Sequence, residues 1–234
     1  MVKQTNDHDL VPSLRNSLLS TMSDPLMDVG EVLFDSVLED GLLKDIPIIG
    51  TISGLAKAGN KLRERNLAMN TLKFIQGFRC QNVSEDEIRK YRERMDNPKI
   101  AEKELGYVLI ILDKEIQLEK AKLLGKAYGA FVQGQIQWDK LIEISEAISR
   151  MFINDFSLLE KVERNSPLEI FTNETNYYEY QRLEGLGLLD DSNRSETWGH
   201  KITSKKYELT PFGKILNNLE ASLEDVGKLS RANL

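Results

Sequence analysis

Apolar residues recur three and four positions apart along most of this chain, most densely between Leu105 and Leu159. Leu118, Ala121, Leu124, Tyr128 and Phe131 form one stripe, and Leu141, Ile144, Ile148 and Phe152 form a second. That is the spacing of the buried face of an amphipathic helix. Between the stripes lies Gln133-Gly134-Gln135-Ile136-Gln137, where Gly134 can supply a left-handed turn residue. The pattern predicts two helices folded back on each other, the second running to about Arg164. Leu124, Phe131, Ile144, Ile148 and Phe152 are expected at their shared interface.

Taken in order, residues 1–22 read as a flexible N-terminal arm with a short helix at Ser13–Met22. Ser23-Asp24-Pro25 signals a helix start, and Leu26, Val29, Leu33 and Val37 give that helix an apolar stripe up to Gly41. Pro47 and Gly50 predict an extended or turning segment over Leu42–Gly50. A long helix is expected from Thr51 to Gln76, stopped by Gly77. Ser84 and Glu87 make a capping box, and Asn97-Pro98 opens a further helix ending near Leu112.

After Ser166-Pro167 the pattern changes. Glu169–Leu186 reads as one or two short helices. Strands follow near Leu189 and at Tyr207-Glu208-Leu209, joined by the polar stretch Ser192–Lys205. Thr210 caps a last helix with Pro211 in its first turn and Phe212, Ile215, Leu216 and Leu219 facing inward. The expected fold is mostly α. A helical bundle over 23–165, built on the central helical hairpin, precedes a small domain over 166–234 with a two-stranded β-hairpin.

The run Arg182-Leu-Glu-Gly-Leu-Gly-Leu-Leu189, the polar loop, and Tyr207-Glu-Leu-Thr-Pro-Phe-Gly213 together resemble the C-terminal half of a winged helix-turn-helix domain. The likeness spans Tyr177 to Leu219. It implies a recognition helix over Asn173–Leu186 and a wing over Ser192–Lys205. The stretch from Lys120 to Phe156, a helix, a glycine-containing turn and a second apolar helix ending in Phe-x-x-Asp-Phe, resembles the TerB-like helical proteins of bacteria. That family's acidic metal-binding positions have no counterpart here, and the resemblance implies no activity.

Charge weighs on the winged-helix reading. The formal net charge is -6, whereas nucleic-acid-binding domains are usually basic. Arg182, Arg194, Lys201, Lys205 and Lys206 are the candidate nucleic-acid contacts, but Glu174, Glu179 and Glu184 share the would-be reading helix with Arg182 alone. Charge is also uneven along the chain. Residues 61–100 carry 10 basic and 6 acidic side chains, the only net-positive block, directly behind the apolar stretch Leu42–Leu62. Ile46, Ile48, Ile49, Ile52, Leu55, Lys61, Arg63 and Arg65 are therefore candidates for contact with an anionic membrane or a partner. The competing reading, which the sequence favours, makes this segment core.

Candidate chemistry is sparse. His8 and His200 fall in the arm and the wing, and Cys80 is the only cysteine, so no internal disulfide can form. Gly54 to Lys61 misses a phosphate loop because Asn60 separates Gly59 from Lys61. Asp139, Glu143 and Glu146 read as a solvated helix face. No catalytic, cofactor or metal site is expected. With a polar N-terminus and no apolar run near the ~20 residues of a membrane helix, the expected location is cytoplasmic. The reading is a non-enzymatic bacterial interaction or regulatory protein acting through protein contacts. A winged-helix DNA-binding regulator is the first alternative, and a membrane-targeting effector in cell defence the second. A second copy of the chain is also an admissible partner.

Overall fold

A computed structural model describes residues 10–20, 46–55, 61–193 and 203–219. Among these the chain is mostly helical, with one small antiparallel sheet of three strands. It divides into two compact units, Met1–Ile142 and Glu143–Leu234, so the division falls earlier than the boundary near residue 165 read from the sequence. The helix predicted over residues 23–41 lies outside the described residues.

The first unit holds α1 (Leu10–Leu19), α2 (Pro47–Leu55), α3 (Lys61–Arg79), α4 (Glu85–Met95), α5 (Pro98–Lys114) and α6 (Leu118–Val132). Residues 10–19 are not an arm. Leu14 and Leu18 of α1 are buried, and α1 packs on α2 and α5. Leu10, Leu14 and Leu18 recur every four residues, which is stripe enough to hold a short helix once a partner face is present. Pro47 opens α2 instead of breaking the chain, since a first-turn proline gives up an N–H that has no intrahelical partner anyway.

The deepest packing in this unit is α3 against α6. A Cβ on Gly125 would fall 2.0 Å from the Phe74 carbonyl oxygen, and one on Gly77 would fall 1.9 Å from that of Lys122. Gly77 therefore does not stop α3, which runs on to Arg79, but lets the two backbones touch. Around this crossing the Tyr128 ring packs at a tilt against Phe74 and Phe78, with ring centroids 5.5 and 6.2 Å apart. The α6 stripe thus finds its main partner in α3. Asn70 of α3 is fully buried and donates to the carbonyls of Leu112 and Glu115, at 2.9 and 2.7 Å, satisfying backbone acceptors at the C-terminus of α5.

Two sequence signals appear as expected at this level. Ser84 and Glu87 close the capping box of α4, with the Ser84 N–H donating to Glu87 Oε2 at 2.8 Å. Those hydrogen bonds hold the Glu87 carboxyl below its usual pKa. Gly134 takes φ +74° in the turn after α6. Helix α7 (Trp138–Arg150) then begins in the first unit and ends in the second, and Trp138 meets Phe131 edge to face at 5.5 Å.

The second helix of the expected hairpin is broken. After α7 the chain turns at Met151 and Phe152, and α8 (Ile153–Arg164) begins anew. Phe152 is 59% exposed, so it is not an interface residue as expected. The reason is local: its N–H donates to Asp155 Oδ2 at 2.8 Å, making Phe152 the residue that caps α8. The rest of the second unit is β1 (Leu168–Phe171), α9 (Tyr177–Gly185), β2 (Leu189–Asp191), β3 (Ser204–Leu209) and α10, over 211–219.

The sheet has the order β1-β3-β2, with Leu168 opposite Tyr207 and Leu189 opposite Leu209. β1 is a strand where helix was expected. Four residues are too few to show a period, and its central pairing with β3 is non-local. The Thr210 hydroxyl accepts from the Gly213 N–H at 3.0 Å, capping α10 as the sequence signalled.

Two predictions follow from the packing. Gly125→Ala should lower the thermal midpoint sharply, because the added methyl meets rigid backbone; overpacking of this kind typically costs ~1–3 kcal/mol or more. Gly106→Ala, whose Cβ would sit no closer than 3.8 Å to Glu102 Oε1, should leave it unchanged or raise it. Phe131→Ala, at a buried site, should cost ~3–5 kcal/mol, whereas Phe152→Ala should cost far less. Thermal melts followed by circular dichroism measure all four.

Candidate functional site

In the second unit, polar and aromatic side chains gather on one side of α9. Asp155, in the first turn of α8, is fully buried and caps that helix. The same carboxylate receives the Arg182 guanidinium from α9, through Nε at 3.2 Å and through a second, shorter contact from its terminal nitrogen. This bond raises the guanidinium pKa further, against the opposing effect of burial. Arg182 also lies over two rings, 4.6 Å from the centroid of Phe152 and 5.8 Å from that of Tyr178. Both rings are exposed, Tyr178 by 60%. The result is an arginine clamped from below by a buried acid and flanked by two solvent-facing aromatics.

A second cluster lies on the other flank of α9. Lys205 of β3 donates to Glu184 Oε2 at 2.7 Å, and the Tyr207 hydroxyl donates to the same oxygen at 3.3 Å. Tyr207 stacks on Tyr180 at 5.6 Å, nearly parallel. Burial first, then the Glu184 charge, pushes the Tyr207 phenol well above its ordinary pKa, so it stays a neutral donor.

Of the candidate nucleic-acid contacts, then, Arg182 and Lys205 are engaged inside the fold. Lys206 is half-buried on β3, with its backbone N–H on Asp191 Oδ1 at 3.3 Å. Arg194 and Lys201 lie outside the described residues, as do His8 and His200. α9 starts at Tyr177, four residues later than the resemblance implied, and residues 172–176 form a turn.

The membrane or partner candidates belong to the first unit. Ile48, Ile49 and Ile52 are buried at 1% exposure or less, and Ile46 is half-buried. Arg63 is ion-paired with Asp113, and Arg65 is exposed. The side chains of Leu55 and Lys61 lie outside the described residues. Asp139, Glu143 and Glu146 are exposed, Glu146 pairing with Arg150 at 3.2 Å. Cys80 is a half-buried free thiol. Among the described residues no group of three or more histidines, cysteines or acids is placed to hold a metal ion, and no helix is long and apolar enough to cross a membrane.

Sequence reasoning missed a polar cluster in the first unit. The Tyr91 and Tyr128 hydroxyls share a hydrogen bond of 2.7 Å in the core, and Arg94 pairs with buried Glu104 while lying 4.7 Å over the Phe131 ring. Burial, only partly offset by Arg94, raises the Glu104 pKa, and burial raises both phenols. The available signal was Tyr91 and Arg94 three apart on a highly charged helix whose other apolar residues are Ile88 and Met95. Each polar group here closes on another across α4, α5 and α6, an arrangement that joins helices.

Because Asp155 is buried, removing its partner should be more damaging than removing both. Arg182→Met should destabilise the chain by about 3–5 kcal/mol, with Asp155→Asn/Arg182→Met recovering part of the loss and Lys206→Ala having little effect. Chemical denaturation of the four proteins checks this. Comparison of the chain with protein-family models, with curated proteins and with solved structures finds no match.

Proposed function

We propose that this chain is a non-enzymatic interaction protein of the cytoplasm, regulatory in character, whose second unit is a winged-helix-like module used for protein contact. One observation carries the reading: Arg182 and Lys205, two of the candidate phosphate contacts, are bound to Asp155 and Glu184 within the fold. Phosphate neutralisation supplies most of the non-specific affinity for DNA, and cations already paired contribute little of it.

Topology supports the module. α8, β1, α9, β2, a connection over 192–203, and β3 follow in that order, with an antiparallel sheet ordered β1-β3-β2. A helix-turn-helix reader has two helices joined by a turn of three or four residues. Here a strand, not a helix, stands just ahead of α9, with only residues 172–176 between them. Exposed Phe152 and Tyr178 beside Arg182 have instead the composition of a protein-binding hot spot. Burial of Ile48, Ile49 and Ile52 favours the core reading of that segment over docking on a membrane.

Fluorescence anisotropy of the full chain with labelled duplex DNA tests the reading. The expected result is no saturable binding at physiological salt. Tight binding that weakens steeply with salt and is lost in Lys205→Glu/Lys206→Glu would overturn it in favour of a DNA-binding regulator.

A further inference from the structure

The Phe152–Tyr178–Arg182 surface has a direction of charge as well as a shape. Arg182 is matched by buried Asp155, so its cation is locally neutralised. Beside Tyr178 stands a carboxylate, Glu179, whose Oε1 accepts from the Tyr178 hydroxyl at 3.5 Å. Glu179 is adjacent to Tyr178 and contributes to holding Arg182 charged, and exposed Glu174 precedes the helix, its Oε1 accepting from the Phe171 N–H at 2.9 Å. Residues 151–234 as a whole carry 10 basic and 14 acidic side chains. Exposed aromatic faces next to a carboxylate attract cations, and the chain's own Arg182 already uses both rings in that way.

We infer that this surface docks a basic segment of a protein partner, its lysine or arginine side chains laid against Phe152 and Tyr178 and opposite Glu179. This rests on the protein-contact reading above. Charge complementarity chooses the occupant: an acidic partner, a phosphopeptide or an anionic lipid surface would meet the like charge of Glu179. The site is also formed in advance. The buried Asp155 holds Arg182, and Arg182 holds the rings, so little side-chain freedom is lost when a partner arrives.

Selection of a displayed library of random peptides on the immobilised full chain tests the inference. Recovered peptides should be enriched in lysine and arginine. Individual ones should lose roughly tenfold or more in affinity for Phe152→Ser/Tyr178→Ser and for Glu179→Lys, the size expected of hot-spot side chains. Both variants replace exposed or half-exposed residues, and unchanged thermal melting would separate lost binding from lost fold. Glu179→Gln, which removes only the charge, should weaken binding while keeping the rings. Recovery of acidic or purely apolar peptides that respond to the patch substitutions would overturn the basic partner and leave the protein-contact reading standing. A library yielding no peptide sensitive to those substitutions would overturn the docking surface itself. That result together with tight, salt-sensitive DNA binding would overturn both readings.

Discussion

The first unit depends on two helix backbones coming into contact. Helices with ordinary side chains at their crossing pack 8–10 Å apart. At Gly77 and Gly125 the side chain is absent and the opposing carbonyls occupy its place. Once α3 and α6 approach that closely, Phe74, Phe78 and Tyr128 are forced into one aromatic cluster, with Phe131 next to Tyr128 at 5.7 Å. The remaining helices pack around this pair. α4 enters through the Tyr91–Tyr128 hydrogen bond and α5 through Asn70, which also ends that helix. Polar bonds buried at these seams demand one register, since a slipped helix would leave them unpaired in a low-dielectric core.

In the second unit a single carboxylate has a comparable role. Asp155 caps α8 and binds Arg182, so the start of one helix and the middle of another are tied to the same two oxygens. Because Phe152 is the cap residue, its ring is left in solvent next to Tyr178, and the guanidinium between them is held in place. The ion pair that holds the unit together therefore also positions its exposed aromatic pair. Arg182 and Lys205 serve the fold first, each bound to a carboxylate of its own unit.

Local chemistry accounts for most of what could be read without coordinates. The capping box at Ser84 and Glu87, the left-handed Gly134, the Thr210 cap and the apolar stripe of α6 all depend on residues within one or two helical turns of each other. Interactions of that range leave a period or a spacing in the chain, and those elements stand where the spacing put them. So does the mostly helical class and the return to strands after residue 166.

What tertiary structure decided is what depends on distant partners. Gly77 looked like a helix stop because a glycine's local effect is to weaken a helix, but Lys122, far along the chain, makes it a contact point. β1 has too few residues to show alternation, and only β3 makes it a strand. Phe152 fitted the stripe of the second hairpin helix, yet the Asp155 cap broke that helix beneath it. Above all, the charges were legible as a list of cations and acids, while their pairing was not. Whether Arg182 is a free phosphate ligand or a clamped structural residue depends on a carboxylate 27 positions away, and no periodicity or spacing carries that information.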